Sequence, residues 1–278
     1  MKVLIFGING MLGHVLWQDF QKEFEVFGTV REGRSEEGRI LEWVNAASGE
    51  GIDSAFKEAR PETVINCIGI IKQIKEAHDP ILSIKVNSLF PHILAGKCKE
   101  TGCRLIHVST DCVFSGNKGN YSEDDMPDPA DLYGRSKLLG EVDRDNALTL
   151  RTSLIGRELK SRNGLLEWFL AQTGSTKGYR KAIFSGLTTY SFARVLRAII
   201  TSQPDLHGIY HIASEPINKY DLLCRFRDAF NKTVDIIPDD SLMLDRSLDP
   251  GKFKRDANIE IPSWDKMIEE LKKRSKIL

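Results

Sequence analysis

The sequence predicts an α/β fold, in which a doubly wound parallel sheet is joined to a smaller, interleaved C-terminal portion. The first observation is that short apolar segments rich in strand formers alternate with segments of helical periodicity up to Ser153. The second is a glycine-rich turn that directly follows the first apolar segment and opens an amphipathic helix. The third is a change beyond Ser153, where helices predominate and no second turn of this kind occurs.

The elements are assigned in chain order. Strands are predicted at residues 2–6, 26–30, 40–43, 63–69, 104–109, 148–153 and 208–212. Helices are predicted at residues 14–20, 80–99, 165–170, 192–200, 219–230 and 266–276, and a further one contains Tyr133. We expect one domain over residues 1–156, to which roughly 179–202 returns, and a second portion over 157–278, without a linker between them.

Composition and charge narrow the functional classes. Lys plus Arg and Asp plus Glu both total 39, so there is no net field to attract nucleic acid. The five cysteines and six histidines show no metal-ligand spacing, and scattered cysteines are typical of reduced thiols in the cytoplasm. No apolar run approaches the roughly 20 residues that span a bilayer, and the chain enters its first strand without a signal peptide. We therefore expect a cytoplasmic protein with no metal, no nucleic-acid partner and no membrane partner.

The glycine-rich turn has the context of a dinucleotide-binding fingerprint, namely a strand, a turn and then a helix. Its residues are Gly7, Gly10, Met11, Leu12 and Gly13. Gly7 permits the tight turn, Gly10 lets the backbone approach a pyrophosphate at the helix N-terminus, and Gly13 lets the helix pack against the strand. We therefore predict a Rossmann-like domain that binds NAD(P) with these residues; a glycine-rich turn without a ligand is the alternative.

Tyr133 and Lys137 stand four residues apart and share one face of their predicted helix. A free tyrosine has a pKa of roughly 10 and exchanges protons poorly near neutrality. A neighbouring cation favours the ionised phenol, and the pair can then exchange a proton with a substrate oxygen. A hydroxyl of Ser109-Thr110, at the end of the fifth predicted strand, is expected to face the same crevice. These residues indicate acid–base chemistry at a carbonyl group.

Five segments between residues 7 and 213 extend this pattern over most of the chain. They are Gly7-x-x-Gly10-x-x-Gly13, Ser109-Thr110-Asp111-x-Val113-Phe114, Tyr133-Gly134-x-Ser136-Lys137-x-x-Gly140-Glu141, Arg151-Thr152-Ser153 and Gly208-Ile209-Tyr210-His211-Ile212-Ala213. In these segments the chain resembles the extended short-chain dehydrogenases/reductases, and more narrowly the dTDP-4-dehydrorhamnose reductases and related sugar-nucleotide reductases. The resemblance implies NAD(P)H-dependent reduction of a nucleotide-linked 4-keto-6-deoxyhexose, in deoxysugar biosynthesis for cell-surface polysaccharide.

The resemblance also implies roles for individual residues. Thr110 orients the sugar ketone and Tyr133 donates the proton. Lys137 lowers the pKa of Tyr133 and holds the nicotinamide ribose. Asp111 and Leu154 line the substrate pocket.

Further cofactor contacts are implied at Gly69, Ile70 and Ile71, and at Asn45 and Ala46, where the family usually has an acidic residue near the adenine.

Two other positions leave alternatives open. Asn87 matches a helix asparagine behind the site, where a packing amide and a proton relay are equal alternatives. Arg31 and Arg34, at the end of the second strand, suit a 2′-phosphate and favour NADPH over NADH; a solvated charged loop is the alternative.

Two departures from the family's pattern concern the sugar. Cys112 stands where the family usually has Tyr, and Leu154 where it usually has Trp. The smaller side chains make a UDP-linked 2-acetamido-4-keto sugar the alternative substrate.

Other functions of related proteins are the remaining alternatives. The regulatory subunit of methionine adenosyltransferase resembles the same reductases, so a non-catalytic NADP-binding subunit is one of them, although the three catalytic residues favour an enzyme. A dehydratase is disfavoured because Asp111 is followed by Cys112 rather than by Glu, and an epimerase stays open. The expected partner is a nucleotide sugar, and a homodimer is left open.

Overall fold

The computed structural model describes residues 1–33, 38–159 and 162–275. The strands of these residues are β1 (Lys2–Phe6), β2 (Glu25–Thr29), β3 (Ile40–Leu41), β4 (Thr63–Asn66), β5 (Arg104–Thr110), β6 (Ala147–Thr152), β7 (Leu154–Ile155), β8 (Ser175–Tyr179), β9 (Ala182–Phe184), β10 (Leu187–Thr188), β11 (Gly208–His211), β12 (Ile217–Asn218), β13 (Asp235–Asp239) and β14 (Leu244–Asp245). The α-helices are α1 (Gly13–Phe20), α2 (Ile52–Ala59), α3 (Pro80–Ser83), α4 (Phe90–Thr101), α5 (Leu132–Leu139), α6 (Leu165–Leu170), α7 (Thr189–Ser202), α8 (Lys219–Ala229), α9 (Gly251–Ala257) and α10 (Trp264–Arg274). A π-helical segment, Ile84–Leu89, joins α3 to α4, and 3-10 turns lie at Lys75–His78 and Asp111–Val113.

The main sheet has seven parallel strands in the order β11-β6-β5-β4-β1-β2-β3. Its strand order reverses between β1 and β4, because β2 and β3 are added on one side of β1 and the later strands on the other. In open parallel sheets ligands bind at the carboxyl ends of the strands, beside such a reversal. The loops after β1, β4 and β5, which carry most of the predicted site residues, lie at this edge.

Apolar residues cover both faces of the main sheet. In β1, Val3 and Ile5 belong to the cluster under α1, α7, α8 and α10, whereas Leu4 and Phe6 belong to the cluster under α2 and α4. All four side chains are fully buried. A parallel strand covered on both faces has a continuous apolar sequence rather than an alternating one. This is why the sequence alone predicts the strand.

The predicted α/β fold and its parallel sheet are confirmed. β4 is shorter than the predicted strand at 63–69, because Asn66 Oδ1 accepts the Ile68 N–H at 3.0 Å and turns the chain out of the sheet. The structure also contains elements that were not predicted, namely helices α2 and α9 and the small two- and three-stranded sheets. β11 lies beyond the return predicted at 179–202, so the main sheet includes a segment assigned to the C-terminal portion. The division at residue 156 stays a prediction.

The helix predicted at 80–99 consists of α3, the π-helical segment and α4 in continuous succession. Within it, the Phe90 N–H donates to the carbonyl of Lys85, five residues back. Pro91 has no N–H, so the usual bond to the carbonyl of Asn87 cannot form. Gly140, at the end of α5, packs against that carbonyl. The π-helical segment and α5 therefore approach each other closely behind the site.

We expect Gly140→Ala to destabilise the protein, because an added Cβ would lie 1.9 Å from the carbonyl oxygen of Asn87. Overpacking of this kind costs about 1–3 kcal/mol. Gly96→Ala in α4 is the matched control, since no described atom beyond its own helix backbone lies within 4 Å of the new Cβ. Loss of glycine's backbone freedom should stabilise that variant by about 0.5–1 kcal/mol. Urea unfolding measures both, and equal stabilities would contradict the close packing.

Candidate active site

The glycine-rich turn after β1 leaves no room for a side chain at Gly7 or Gly13. Gly7 has φ +88°, in the left-handed region, and a Cβ on Gly13 would lie 2.1 Å from the Gly7 carbonyl oxygen. Gly10 is exposed at the turn and donates its N–H to the same carbonyl at 3.1 Å. Met11 is half-buried and Leu12 is buried. The His14 N–H donates to the Gly10 carbonyl at 3.1 Å, whereas the N–H groups of Met11, Leu12 and Gly13 have no acceptor among the described residues. These three N–H groups are open to an anion, and the turn fits the pyrophosphate of a dinucleotide.

The catalytic candidates lie on β5 and α5. Thr110 is the last residue of β5, and Tyr133 and Lys137 lie on α5. α5 begins at Leu132 because Asp131 caps it by accepting the Gly134 N–H at 2.8 Å. The structure therefore places the three predicted catalytic residues together at the carboxyl edge of the main sheet.

Burial and neighbouring acids keep the phenol of Tyr133 protonated. Burial raises the pKa of Tyr133, Cys112 and Asp111 act in the same direction, and interaction with the Thr110 hydroxyl opposes them. Burial and the neighbouring acids dominate the pKa of Tyr133 in the free protein, so the lowering by Lys137 that the resemblance implies stays a prediction. The phenol is thus in the protonated form that a proton donor requires, and its raised pKa makes it a weaker acid than a free tyrosine.

Lys137 is buried, and its ammonium group is fixed by a hydrogen bond to β5. Its Nζ donates to the carbonyl of Val108 at 2.8 Å. Burial lowers the pKa of Lys137 to about 8, whereas Glu141 and Cys67 act to raise it. A Cβ on Gly69 would lie 4.0 Å from the Lys137 Nζ, so the predicted cofactor segment after β4 passes beside this ammonium.

Asn87, in the π-helical segment, fixes the loop after β4. Its Oδ1 accepts the Ile70 N–H at 2.8 Å, and its Nδ2 donates to the Ile70 carbonyl at 3.0 Å and to Ser136 Oγ at 3.1 Å. These bonds tie the predicted cofactor loop to α5. They favour the packing amide over the proton relay as the role of Asn87.

A buried polar network lies directly behind the catalytic residues. Ser109 Oγ donates to Glu141 Oε1 at 2.7 Å, and Arg151 donates to both oxygens of Glu141 at 2.9 and 2.7 Å. Arg151 also donates to His211 Nε2 at 3.2 Å, and His211 Nδ1 donates to the carbonyl of Tyr121 at 2.9 Å. Burial, followed by Arg151, lowers the pKa of His211 to about 4, in agreement with a neutral ring. Ser109 therefore faces this network, and the hydroxyl at the site is that of Thr110.

The predicted cofactor contacts after β2 and β3 lie in loops, where Arg31 is exposed and Asn45 and Ala46 are half-buried. Arg31 follows β2 and pairs with Glu32, with 3.1 Å between Nε and Oε1. Asn45 Oδ1 accepts the Ala47 N–H at 2.9 Å, so this side chain holds its own turn. Ala46 packs at the edge of the apolar cluster under α2 and α4. Arg34 lies outside the described residues.

The predicted substrate residues lie at two different depths. Thr110 Oγ1 donates to Asp111 Oδ1 at 3.2 Å, and burial raises the pKa of this buried carboxyl group. Leu154, half-buried at the start of β7, packs against the main core. Arg246 Nη1 donates to Cys112 Sγ at 3.6 Å, so a guanidinium fills part of the space expected at Cys112. Arg246 was not predicted, because nothing in its local sequence separates it from a surface arginine.

Within residues 1–33, 38–159 and 162–275, no three His, Cys, Asp or Glu side chains come together as a set of metal ligands. The five cysteines are free thiols. No helix in this part of the chain has both the length and the apolar character needed to cross a membrane.

Residues 1–276 match the family model of the RmlD substrate binding domain. The chain belongs to this family. The resemblance to dTDP-4-dehydrorhamnose reductases within the extended short-chain dehydrogenases/reductases is thereby confirmed. The match spans both the main sheet and the C-terminal portion.

The proteins to which this chain is similar include a subunit of another enzyme and two reductases. Methionine adenosyltransferase 2 subunit beta of Xenopus tropicalis is 26% identical over 252 residues, which cover 83% of this chain and 72% of that protein. The probable low-salt glycan biosynthesis reductase Agl14 of Haloferax volcanii is 33% identical over 161 residues, which cover 56% of this chain and 54% of that protein. The structure of dTDP-4-dehydrorhamnose reductase from Bacillus anthracis in complex with NADP has a TM-score of 0.83 and 21% identity, over 98% of this chain and 99% of that one. At that identity the structural likeness establishes the fold.

Proposed function

We propose that the protein is an NAD(P)H-dependent reductase of a nucleotide-linked 4-keto-6-deoxyhexose. The observation that carries the proposal is the meeting of Thr110, a protonated Tyr133 and Lys137 at the sheet edge that also bears the glycine-rich turn. Membership of the RmlD family and relatives named as reductases support it.

The mechanism follows from the positions of these groups. The bound cofactor supplies a hydride to the ketone carbon. The glycine-rich turn would hold the cofactor's pyrophosphate, and Lys137 would hold its ribose. Tyr133 gives its proton to the substrate oxygen on which negative charge develops, and Thr110 positions that oxygen. To do so, the Thr110 hydroxyl turns from Asp111 to the substrate oxygen.

Consumption of NADPH and NADH in the presence of dTDP- and UDP-linked 4-keto sugars tests the proposal. We expect turnover with a dTDP-linked 4-keto-6-deoxyhexose, and faster turnover with NADPH because the exposed guanidinium of Arg31 suits a 2′-phosphate. Turnover confined to UDP-linked 2-acetamido-4-keto sugars would change the identity of the hexose. Cofactor binding without turnover of any keto sugar would overturn the proposal.

A non-catalytic subunit is the second candidate, because a relative matched over 83% of this chain is named as a subunit of methionine adenosyltransferase 2. A subunit that only binds a partner has no use for an assembled Thr110, Tyr133 and Lys137. This geometry therefore supports the reductase. Co-elution with a methionine adenosyltransferase, together with absent turnover, would favour the subunit.

A further inference from the structure

The carboxylate of Glu141 is held in a fixed position behind the catalytic residues. Glu141 stands four residues after Lys137, and its side chain is 4% exposed. Ser109 Oγ donates to Glu141 Oε1 at 2.7 Å, and Arg151 donates to both carboxylate oxygens. Ser109 and Arg151 are direct partners across β5 and β6. Two central strands of the main sheet therefore anchor this buried negative charge.

The same strand that anchors Glu141 also holds the ammonium group of Lys137. Lys137 Nζ donates to the carbonyl of Val108 at 2.8 Å, and Val108 directly precedes Ser109 in β5. The N–H of Glu141 donates to the Leu138 carbonyl at 3.1 Å, so the turn of the chain continues from α5 up to Glu141. Consecutive residues of β5 thus bind the ammonium group and the carboxylate, and both charges lie in the protein interior.

Glu141 supplies the negative charge among the ionisable groups that interact with Lys137. These groups are Glu141 itself, Cys67 after β4, and His107 in β5. Burial raises the pKa of Cys67 to about 12, so its thiol is neutral near pH 7. Burial lowers the pKa of His107 well below its usual value, so its ring is neutral as well. The carboxylate is therefore the group that favours the charged form of Lys137.

The charge of Lys137 is sensitive to its surroundings. Burial lowers its pKa to about 8, whereas a free lysine has a pKa of roughly 10.4. A further lowering would convert much of the ammonium into the neutral amine near pH 7. The amine is a weaker donor to a ribose hydroxyl, and it no longer favours the anion that Tyr133 becomes when it gives up its proton.

We propose that Glu141 is a positioning residue, whose carboxylate, anchored by Ser109 and Arg151, keeps Lys137 in the ammonium form that the reaction needs. This inference rests on the proposed function and deepens it, because it identifies what maintains the charge at the active site. Glu141 acts through Lys137 rather than on the substrate oxygen. The buried network behind the site thus has a role in the chemistry as well as in stability.

The experiment is a pH titration of Lys137 in the full chain without substrate. The carbon-13 resonance of the lysine Cε reports the charge, and Lys137→Arg assigns it. Glu141→Gln removes the negative charge and nearly preserves the size of the side chain. We expect its midpoint to lie about one pH unit below that of the native protein. Glu141→Asp keeps the charge, so its midpoint should lie closer to the native value than to that of Glu141→Gln.

Glu167→Gln is the matched control. Glu167 is a buried carboxylate that pairs with Arg157, but it belongs to α6. Both glutamine variants remove the negative charge of a buried pair and should unfold at lower urea concentrations than the native protein. Only Glu141→Gln should move the midpoint of Lys137, which a general loss of stability does not do. Equal midpoints in Glu141→Gln and the native protein would overturn the proposal.

A double variant covers the case in which Glu141→Gln does not fold. Glu141→Gln combined with Arg151→Gln removes both charges of the pair, so no buried cation is left without its partner. A midpoint below the native one in this variant supports the role of Glu141. A midpoint at or above the native one counts against it.

Cofactor binding and kinetics separate this inference from the proposed function. NADPH affinity, measured by fluorescence on both sides of the Lys137 midpoint, should begin to fall at lower pH in Glu141→Gln than in the native protein. With a keto sugar that is turned over, the alkaline limb of kcat should move in the same direction. A shifted Lys137 titration without turnover of any keto sugar would support the role of Glu141 and sink the reductase. An unshifted titration with turnover would do the reverse.

Discussion

Tyr133→Phe should lower kcat by roughly 100- to 10,000-fold, the range expected for loss of a positioned general acid. The phenol is protonated near neutrality and lies beside Thr110, so no other described hydroxyl replaces its proton at the same place. NADPH affinity should change little, because the glycine-rich turn and Lys137 are untouched. Steady-state turnover of the keto sugar and a fluorescence titration of NADPH measure the two quantities.

Tyr179→Phe is the control for removal of a phenolic oxygen. Tyr179 ends β8 and makes no hydrogen bond through its hydroxyl within the described part of the chain. We expect its turnover to equal that of the native protein. Ordinary turnover by Tyr133→Phe would exclude Tyr133 as the proton donor, and loss of NADPH binding in that variant would point to a structural defect instead.

Arg151→Met should destabilise the protein by about 3–5 kcal/mol, because it leaves the carboxylate of Glu141 buried without its cation. Both side chains of this pair are 4% exposed, and two hydrogen bonds join them. His211 loses a donor as well. The free energy of unfolding in urea measures the loss.

The matched control is Arg225→Met, at an exposed pair. Arg225 and Asp265 are 2.6 Å apart, with side chains 43% and 81% exposed, and such pairs contribute about 0–1 kcal/mol. If Arg151→Met costs no more than Arg225→Met, the buried pair does not stabilise the fold. A second substitution, Glu141→Leu, should restore part of the loss because it removes the unpaired charge.

Much of the fold can be predicted from local patterns of apolar residues and glycines in the sequence. β1 is covered on both faces and so is uniformly apolar, and the turn after it needs glycine at Gly7 and Gly13 for steric reasons. α2 carries a detectable signal too, since Ile52, Ala55 and Phe56 are buried at helical spacing, but the segment is short and follows two glycines, Gly49 and Gly51. The shortening of β4 depends on the side chain of Asn66, and the π-helical segment depends on Pro91. Strand and helix propensities, which are averaged over several residues, do not predict such single-residue effects.

The residues of the site likewise fall into those that local sequence patterns predict and those that they do not. Thr110, Tyr133 and Lys137 belong to contiguous motifs, so the sequence alone could predict them. The network of Glu141, Arg151 and His211 joins segments far apart in the chain, and each residue has an ordinary local context. Arg246 likewise reaches Cys112 only through the tertiary fold, because the two residues are 134 positions apart in the chain.

The position of β11 restricts how this architecture can be divided. The strand belongs to the C-terminal half of the chain, yet it forms the outer edge of the main sheet beside β6, and its His211 bonds Arg151. A module ending at residue 156 would expose the backbone donors and acceptors of β6 and would remove the imidazole to which the buried Arg151 donates. Neither half of the chain could therefore be exchanged as a unit without disrupting the main sheet. New specificities would arise by exchanging loops on an intact frame.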